Sequence, residues 1–200
     1  MAYRDTQNSL RTIYAIAATQ GGYFTAKQAA EARYKYPHLI YHLHAGNFAR
    51  AGHGLYRLPT IPVSEHDDFI RLALWSRNRD DKPQATISHE SALLLHQLSD
   101  VLPHRIHLTV PPSFRKESPK GCVFHKATLT TKEIEERDGF SVTTPLRTLT
   151  DVAKANSVTD EQLAKAVDDA LRRGMVRPSD LKAAIKRSPN TSRLSLALSR

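Results

Sequence analysis

Residues 25–59 read TAKQAAEARYKYPHLIYHLHAGNFARAGHGLYRLP, and this stretch decides the fold of the N-terminal part of the chain. Thr25 and Gln28 have the spacing of a capping box, in which a hydroxyl and an amide satisfy backbone donors at a helix start. Pro37 suits the first turn of a second helix, and Gly46 suits its left-handed end. The Gly-His-Gly sequence that follows predicts the tight turn of a β-hairpin. Helix, helix and hairpin in this order predict a winged helix-turn-helix.

Apolar periodicity around this stretch completes the predicted head. Apolar residues recur at helical spacing in residues 9–19, which predicts a bracing helix before the capping box. In the helix begun by Pro37, Leu39, Ile40 and Leu43 fall on an inward face. The hairpin forms the wing, with one strand before and one strand after the glycines.

The outward face of this head indicates DNA as its ligand. We expect His38, Tyr41 and His42 to approach base edges in the major groove. The residues expected to hold phosphates are Thr25, Lys27, Gln28 and Tyr36. Arg50 and His53 are expected to act at the wing, and His44 adds to the basic character of the head where it gains a proton near phosphate. The alternative for the same fold is a winged helix that binds protein.

The charge distribution favours an anionic partner. The chain has 29 lysines and arginines against 20 acids, a formal net charge of +9. Residues 1–59 carry seven basic residues against two acids, residues 60–144 eleven against twelve, and residues 145–200 eleven against six. A near-neutral middle between two basic ends favours a specific basic head over a uniformly basic surface. The basic C-terminal segment leaves three interpretations open: a second DNA contact, an RNA contact or a solvated face.

Several classes of site are disfavoured by what the sequence lacks. A single cysteine, Cys122, excludes an internal disulfide and a multi-cysteine zinc site. No stretch approaches the roughly 20 apolar residues that span a membrane, and the N-terminus lacks the apolar core of a signal peptide. We therefore expect a cytoplasmic protein with no membrane partner. His38, His42 and His44 share a helix face, but no Cys, Asp or Glu lies beside them to complete a metal shell, so neither a metal nor another cofactor is predicted.

Two clusters superficially resemble catalytic sites. Ser88-His89-Glu90-Ser91 contains the residue types of a serine hydrolase, but consecutive residues at a helix start favour capping. Asp100 with Glu117 and Lys120 faintly resembles a metal-dependent nuclease core, although the spacing is wrong for two adjacent strands. Neither glycine-rich phosphate-binding motif is present. We therefore predict no enzymatic activity.

Several blocks together resemble a known family. They are GYFTAKQAAEA from Gly22, GNFARAGHGLYRLP from Gly46, ISHESALLLHQL from Ile87, IHLTVP from Ile106 and GFSVTTPLRTLTDVA from Gly139. This pattern, extending from about residue 9 to residue 185, resembles the AbiEi antitoxin family of type IV toxin–antitoxin systems. The SHESALLLHQL and TTPLRTLTD blocks are its more specific part, since winged heads occur in many regulators.

The resemblance implies a function for each part of the chain. The winged helix would bind inverted repeats in double-stranded promoter DNA and repress its own operon, with the recognition helix at Pro37–Ala45 and the wing at Ala49–Tyr56. The C-terminal domain would counteract a nucleotidyltransferase-like toxin without requiring a stable complex with it, in systems associated with phage abortive infection. One departure is that the recognition face is rich in His and Tyr rather than Arg and Lys, which makes DNA affinity dependent on pH.

The clearest pattern beyond the head is the strict alternation in residues 106–110, which predicts a strand. Residues 131–137 are expected to form a helical turn between two further strands.

The predicted architecture is α+β, with an N-terminal winged helix-turn-helix followed by a mixed antitoxin domain with a small sheet and several helices. The predicted boundaries are residues 1–61 for the DNA-binding domain, 62–187 for the antitoxin domain and 188–200 for a tail that either frays or docks through its leucines. Arg147 and Asp151 are four apart on a predicted helix and are expected at least to form an intrahelical pair. Two other functions stay open: a nuclease-like enzyme guided by a DNA-binding head, and a winged-helix protein-interaction module.

Overall fold

The computed structural model describes residues 2–100, 102–187 and 192–198 of the chain. The chain divides into two compact units. The N-terminal unit comprises Met1–Gln84 and Arg137–Phe140, and the C-terminal unit comprises Ala85–Glu136 and Ser141–Arg200. Both parts of the predicted α+β fold class are confirmed, because a winged helix-turn-helix precedes a mixed unit with a small sheet.

The N-terminal unit has the element order of a winged helix. Its elements are α1 (Ala2–Ala18), β1 (Tyr23–Thr25), α2 (Ala26–Glu31), α3 (Tyr36–His44), β2 (Ala49–Gly52), β3 (Leu55–Arg57) and α4 (Asp67–Trp75). The strands form an antiparallel sheet in the order β1-β3-β2. The predicted capping box is present. The backbone nitrogen of Gln28 donates to Thr25 Oγ1 at 3.1 Å, and the backbone nitrogen of Thr25 donates to Gln28 Oε1 at 2.8 Å. The sequence analysis missed β1, a strand of only three residues.

Aromatic side chains hold the elements of this head together. Phe24 is fully buried, and its ring centroid lies 5.1 Å from that of Phe48 and 5.6 Å from that of Tyr56. Ile13 from α1 and Leu39 from α3 belong to the same buried cluster. Burial of these large rings contributes most of the hydrophobic stabilisation of a small unit. Helix α3 is therefore fixed on its inner side by its predicted apolar face.

The N-terminal unit extends beyond the boundary predicted after residue 61. Tyr23 Oη donates to Asp67 Oδ2 at 2.6 Å, and an Arg77 guanidinium nitrogen donates to Gln20 Oε1 at 2.6 Å. Burial and the hydrogen bond to Asp67 raise the pKa of Tyr23 to about 12. These bonds tie residues 62–84 to the head, because α4 and the loop after it satisfy polar groups of the winged helix.

The C-terminal unit contains a five-stranded mixed sheet and five helices within its described residues. Its elements are β4 (Thr86–Ile87), α5 (His89–Leu95), β5 (Ile106–Val110), β6 (Cys122–Lys126), β7 (Ile134–Arg137), β8 (Phe140–Thr143), α6 (Pro145–Ala155), α7 (Asp160–Arg172), α8 (Pro178–Arg187) and α9 (Ser192–Leu198). The strand order is β6-β5-β4-β8-β7. Strand β4 pairs antiparallel with β5 and parallel with β8, and β5 pairs in parallel with β6.

One predicted helical turn is partly wrong. Residues 131–137 were expected to form a helical turn, but only Thr131–Glu133 form a short 3-10 turn and Ile134–Arg137 form β7. The two residues between β7 and β8 include Gly139, whose φ of 89° is a left-handed conformation that favours glycine. The tight turn therefore makes the polar Ile-Glu-Glu-Arg segment an outer strand.

The C-terminal helices pack around a leucine-rich core that includes the tail. Leu149, Leu163, Leu181 and Leu194 are all fully buried in one cluster. Leu194 lies in α9, so residues 192–198 dock rather than fray, whereas residues 188–191 and 199–200 of the predicted tail lie outside the described residues. Among the helices described, none is long and apolar enough to cross a membrane.

Candidate nucleic-acid interface and buried polar networks

Helix α3, the predicted recognition helix, presents two tyrosines to solvent. Tyr36 is 69% exposed and Tyr41 is 66% exposed, whereas Leu39 on the opposite face is buried. A tyrosine combines a flat apolar ring with a hydroxyl that can bond a base edge or a phosphate oxygen. His44, at the end of α3, is also exposed. These side chains form an outward surface of the kind that a recognition helix requires.

The histidines of α3 are less accessible than the tyrosines. The ring of His42 stacks on Phe48 at a centroid distance of 5.0 Å, and that of His38 meets Tyr34 at 5.7 Å. Asn47 Nδ2 lies 2.9 Å from His42 Nδ1. When the Asn47 amide donates to Nδ1, the proton of the neutral His42 ring is on Nε2. Burial, followed by the charge of His38, lowers the pKa of His42. His42 is therefore neutral at pH 7 and supports the helix with one face while the rest of its ring stays half-exposed.

The wing places Arg50 and His53 on the surface. Arg50 lies in β2 opposite Tyr56 of β3, and both Arg50 and His53 are exposed. A β-bulge lies between Arg50 and Gly52, and Gly54 adopts a φ of 63° in the turn. Bulges and left-handed glycines sharpen a turn and reorient neighbouring side chains. The wing thus carries a cation at its edge and an imidazole at its tip.

Three residues that were expected to hold phosphates make internal contacts. Thr25 and Gln28 satisfy the start of α2, and the Gln28 amide also exchanges hydrogen bonds with buried Gln20 at 3.0 and 3.2 Å. Lys27 is exposed, and its Nζ donates to the Arg79 carbonyl at 2.8 Å. Gln28 is therefore a buried cap rather than a surface ligand, since its amide groups already have partners.

The sequence analysis missed two basic residues in the turn before α3. Arg33 and Lys35 are both exposed, and Lys35 is the residue immediately before the first turn of the helix. Their position follows from the short connection between α2 and α3. A pair of cations flanking the predicted turn was the signal that could have identified them.

A second polar feature lies in the C-terminal unit, where three histidines meet. The register of β5 and β6 pairs His107 with Val123 and Thr109 with His125, so both histidines face the same side of the sheet. His89, at the start of α5, stacks on His125 with ring centroids 3.4 Å apart. His107 Nδ1 lies 3.0 Å from His125 Nε2 and 2.9 Å from Glu90 Oε2. We call His89, His107, His125 and Glu90 the histidine cluster.

Burial and neighbouring charges favour the neutral forms of His89 and His125 in this cluster. Burial, followed by the charge of His125, lowers the pKa of His89 to about 3. Burial and the neighbouring His107 lower the pKa of His125. Burial opposes ionisation of Glu90, but hydrogen bonds from His107, its own backbone and Ser157 outweigh it and lower the Glu90 pKa. In the described part of the chain, no three His, Cys, Asp or Glu side chains are arranged to hold a metal ion.

The serines beside this cluster do not play the capping role predicted for them. Ser88 precedes α5, but its hydroxyl makes no cap hydrogen bond and lies 3.0 Å from His89 Nδ1 instead. Ser91 Oγ accepts from the His107 backbone nitrogen at 2.9 Å. The left-handed φ of His89, 51°, turns the chain so that its ring faces the sheet. Ser88 and Ser91 are both buried, and they connect α5 to β5 through their bonds with His107.

Arg147 is the centre of a further network. Its Nε donates to Asp151 Oδ1 at 2.8 Å, which confirms the expected intrahelical pair, and its Nη1 donates to Glu133 Oε1 at 2.8 Å. Glu133 Oε2 in turn accepts from the backbone and hydroxyl of Thr130 at 2.9 Å. Burial raises the pKa of Asp151 although Arg147 opposes that shift. Arg147 thereby joins the 3-10 turn before β7 to helix α6.

The acids and lysine that resembled a nuclease core have other surroundings. Asp100 pairs with Lys165 of α7. Glu117 and Lys120 are exposed in the connection between β5 and β6. The structure gives this set no shared strand pair, so it provides no support for the nuclease-like alternative.

Comparison with protein families identifies the C-terminal unit. Residues 85–198 match the AbiEi antitoxin C-terminal domain. The chain belongs to the AbiEi antitoxin family. The matched region contains both the histidine cluster and the Arg147 network, and the AbiEi domain supports an antitoxin role for the protein, which implies a toxin as its partner in general.

Other comparisons add little beyond this family. The AbiEi chain is similar to the crystal structure of the RV2827C protein from Mycobacterium tuberculosis, with a TM-score of 0.48 and 17% sequence identity over 96% of this chain and 81% of that chain. A search of curated proteins found no match.

Proposed function

We propose that this AbiEi protein is the antitoxin and transcriptional autorepressor of a type IV toxin–antitoxin operon. Its winged helix binds double-stranded promoter DNA, and its C-terminal unit counteracts a nucleotidyltransferase-like toxin without requiring a stable complex. It acts in the cytoplasm and is not itself an enzyme. The observation that carries the proposal is the presence, in one chain, of an AbiEi domain and a winged helix whose recognition helix exposes Tyr36 and Tyr41.

The surface of the head is suited to both kinds of DNA contact. Tyr41 on α3 provides a hydroxyl and a ring for the major groove, and Arg50 provides a cation at the wing for the phosphate backbone. Arg33 and Lys35 extend the positive charge to the start of α3. We place Tyr36, Tyr41, His44, Arg50 and His53 in the interface, with half-exposed His38 and His42 beside them. Thr25 and Gln28 are assigned to the helix cap instead, and Lys27 remains a candidate phosphate contact.

The DNA part is tested by fluorescence anisotropy with the duplex upstream of the gene and a scrambled duplex, at two salt concentrations. Tyr41→Ala should weaken binding to the upstream duplex by about tenfold or more, as loss of a base contact does. Arg50→Ala should weaken both duplexes and reduce the salt slope by about one. Lys120→Ala, which removes an exposed cation of the C-terminal unit, is the control. Equal affinity of the native protein for both duplexes would contradict the repressor role.

The antitoxin part is tested by growth of cells that express the product of the adjacent gene. Co-expression of the full chain should restore growth, and the Tyr41→Ala variant should restore it equally when both genes are placed under foreign promoters. Loss of growth rescue in that variant would show that DNA binding and toxin counteraction both depend on the winged head. Absence of rescue by the native chain would contradict the antitoxin assignment to this toxin.

A further inference from the structure

A basic groove lies on the C-terminal unit, and the proposed function makes no use of it. Its volume is about 510 Å³. The 3-10 turn before β7, one side of α6 along its length and the end of α8 form its walls. Its cationic side chains are Lys132, Arg147, Lys154 and Arg187, and we call it the basic groove.

Only one of these four cations is neutralised. Arg147 bonds both Glu133 and Asp151. Lys132, Lys154 and Arg187 form no ion pair with any carboxylate in the parts of the chain that the structure describes. Arg187 donates from Nε to the Ala183 carbonyl at 3.3 Å, which leaves its two Nη groups for other acceptors. Three cations from three elements therefore share one concavity, and Glu133, the one carboxylate that lines it, is already bonded to Arg147 and Thr130.

The excess of positive charge favours an anion in the groove. Like charges that share a concave surface repel one another, and the concave shape limits screening by solvent. Lysine and arginine are the side chains that bind phosphate oxygens most strongly, through charge-assisted hydrogen bonds. Leu146 and Ala184 supply apolar surface between the cations. The groove thus combines several phosphate ligands with a small apolar area.

We propose that the basic groove binds a phosphate ester with two or more negative charges, carried by a free nucleotide or by a short single strand of nucleic acid. A volume of about 510 Å³ accommodates a ligand of nucleotide size. The lining residues all belong to the C-terminal unit, so the site is separate from the duplex-binding surface that we propose for the winged head.

The test uses the full chain and two probes, MANT-labelled ATP and a short fluorescein-labelled oligothymidylate. The groove variant carries Lys132→Gln, Lys154→Gln and Arg187→Gln. The matched control carries Arg115→Gln, Lys120→Gln and Lys182→Gln, which remove the same charge from exposed positions outside the groove. We expect the groove variant to bind the preferred probe at least about tenfold more weakly, as loss of one charge-assisted hydrogen bond alone would produce. The control should bind like the native chain.

Each outcome decides the proposal. Selective loss of MANT-ATP binding assigns a free nucleotide, and selective loss of oligothymidylate binding assigns a single strand; both support the groove. Absence of binding of either probe to the native chain, or equal losses in the two variants, overturns it. Thermal unfolding shows whether both variants are folded. Binding of the upstream duplex is measured on the same samples, so failure of the repressor role is distinguishable from failure of the groove.

Discussion

Acidification should destabilise the C-terminal unit through His89. The residue is 6% exposed and stacks on His125, and its pKa is lowered from 6.5 to about 3. At a pH between these two pKa values, His89 therefore binds fewer protons in the native state than in the unfolded chain. The contribution of His89 to stability is complete above its unfolded pKa of 6.5 and is lost progressively as the pH falls toward 3. Between pH 7 and pH 5 we expect a loss of about 2 kcal/mol from this group.

Burial is the largest cause of the lowered pKa of His89, and the neighbouring charges modify it. His125 and His107 oppose its protonation, as does Arg147, whereas Glu90 favours it. The lowered pKa of His125 acts in the same direction as that of His89, so the native chain should lose more than the His89 contribution alone. In His89→Phe a ring remains to stack on His125, but the titrating group is gone. This variant should therefore retain about 2 kcal/mol more of its stability between pH 7 and pH 5.

The assay is urea unfolding of the full chain at both pH values, monitored by far-UV circular dichroism. Hydrogen exchange of peptides from α5, β5 and β6 is measured at the same pH values. Trp75 is the single tryptophan of the chain and lies in the N-terminal unit, so its fluorescence reports on the head separately. His53→Phe, at the tip of the wing, is the matched control. The same pH dependence in the native chain and in His89→Phe would refute the reasoning. An acid-induced change confined to the Trp75 signal would refute it as well.

Three further predictions concern stability at neutral pH and are measured by urea unfolding. Arg147→Met should destabilise the C-terminal unit by about 3 kcal/mol, because it leaves Asp151 as an uncompensated buried carboxylate, and adding Asp151→Asn should recover part of that loss. Leu194→Ala should cost about 2 to 5 kcal/mol, whereas Leu196→Ala, at a position 62% exposed, should cost less than about 0.5 kcal/mol; equal effects would contradict the docking of α9. Thr159→Ala should cost about 1 kcal/mol through its helix cap, and Thr159→Ser should not.

Local chemistry made the winged head predictable from sequence. The capping box at Thr25, Pro37 in the first turn of α3 and the glycines of the wing each act within a few residues. Such signals do not depend on where the rest of the chain lies. The boundary after residue 61 could not be predicted in the same way, because residues 62–84 join the head through bonds such as Tyr23 to Asp67, which are 44 positions apart.

In the C-terminal unit, contacts between distant parts of the chain matter more than local sequence signals. Its strand at residues 106–110 was predicted from alternation, but the histidine cluster depends on the parallel register of β5 with β6 and on the left-handed conformation of His89. Neither is visible in the spacing of His89, His107 and His125 along the chain. The role of Ser88 was wrong for the same reason, since its hydroxyl lies against the His89 ring rather than on a helix donor.

Burial separates the residues that identify the family from those that can meet a partner. In the two blocks through which the sequence most resembles AbiEi proteins, Ser88, Ser91, Thr148 and Asp151 are all buried. Their polar atoms have hydrogen-bond partners within the unit, as in the 2.7 Å contact between the hydroxyls of Thr148 and Thr143 and the bond from Arg147 to Asp151. A buried group with satisfied hydrogen bonds cannot contact a toxin without unfolding the surrounding structure. The buried members of these blocks therefore specify the fold of the antitoxin domain, and the residues that act on a toxin must be sought among exposed side chains.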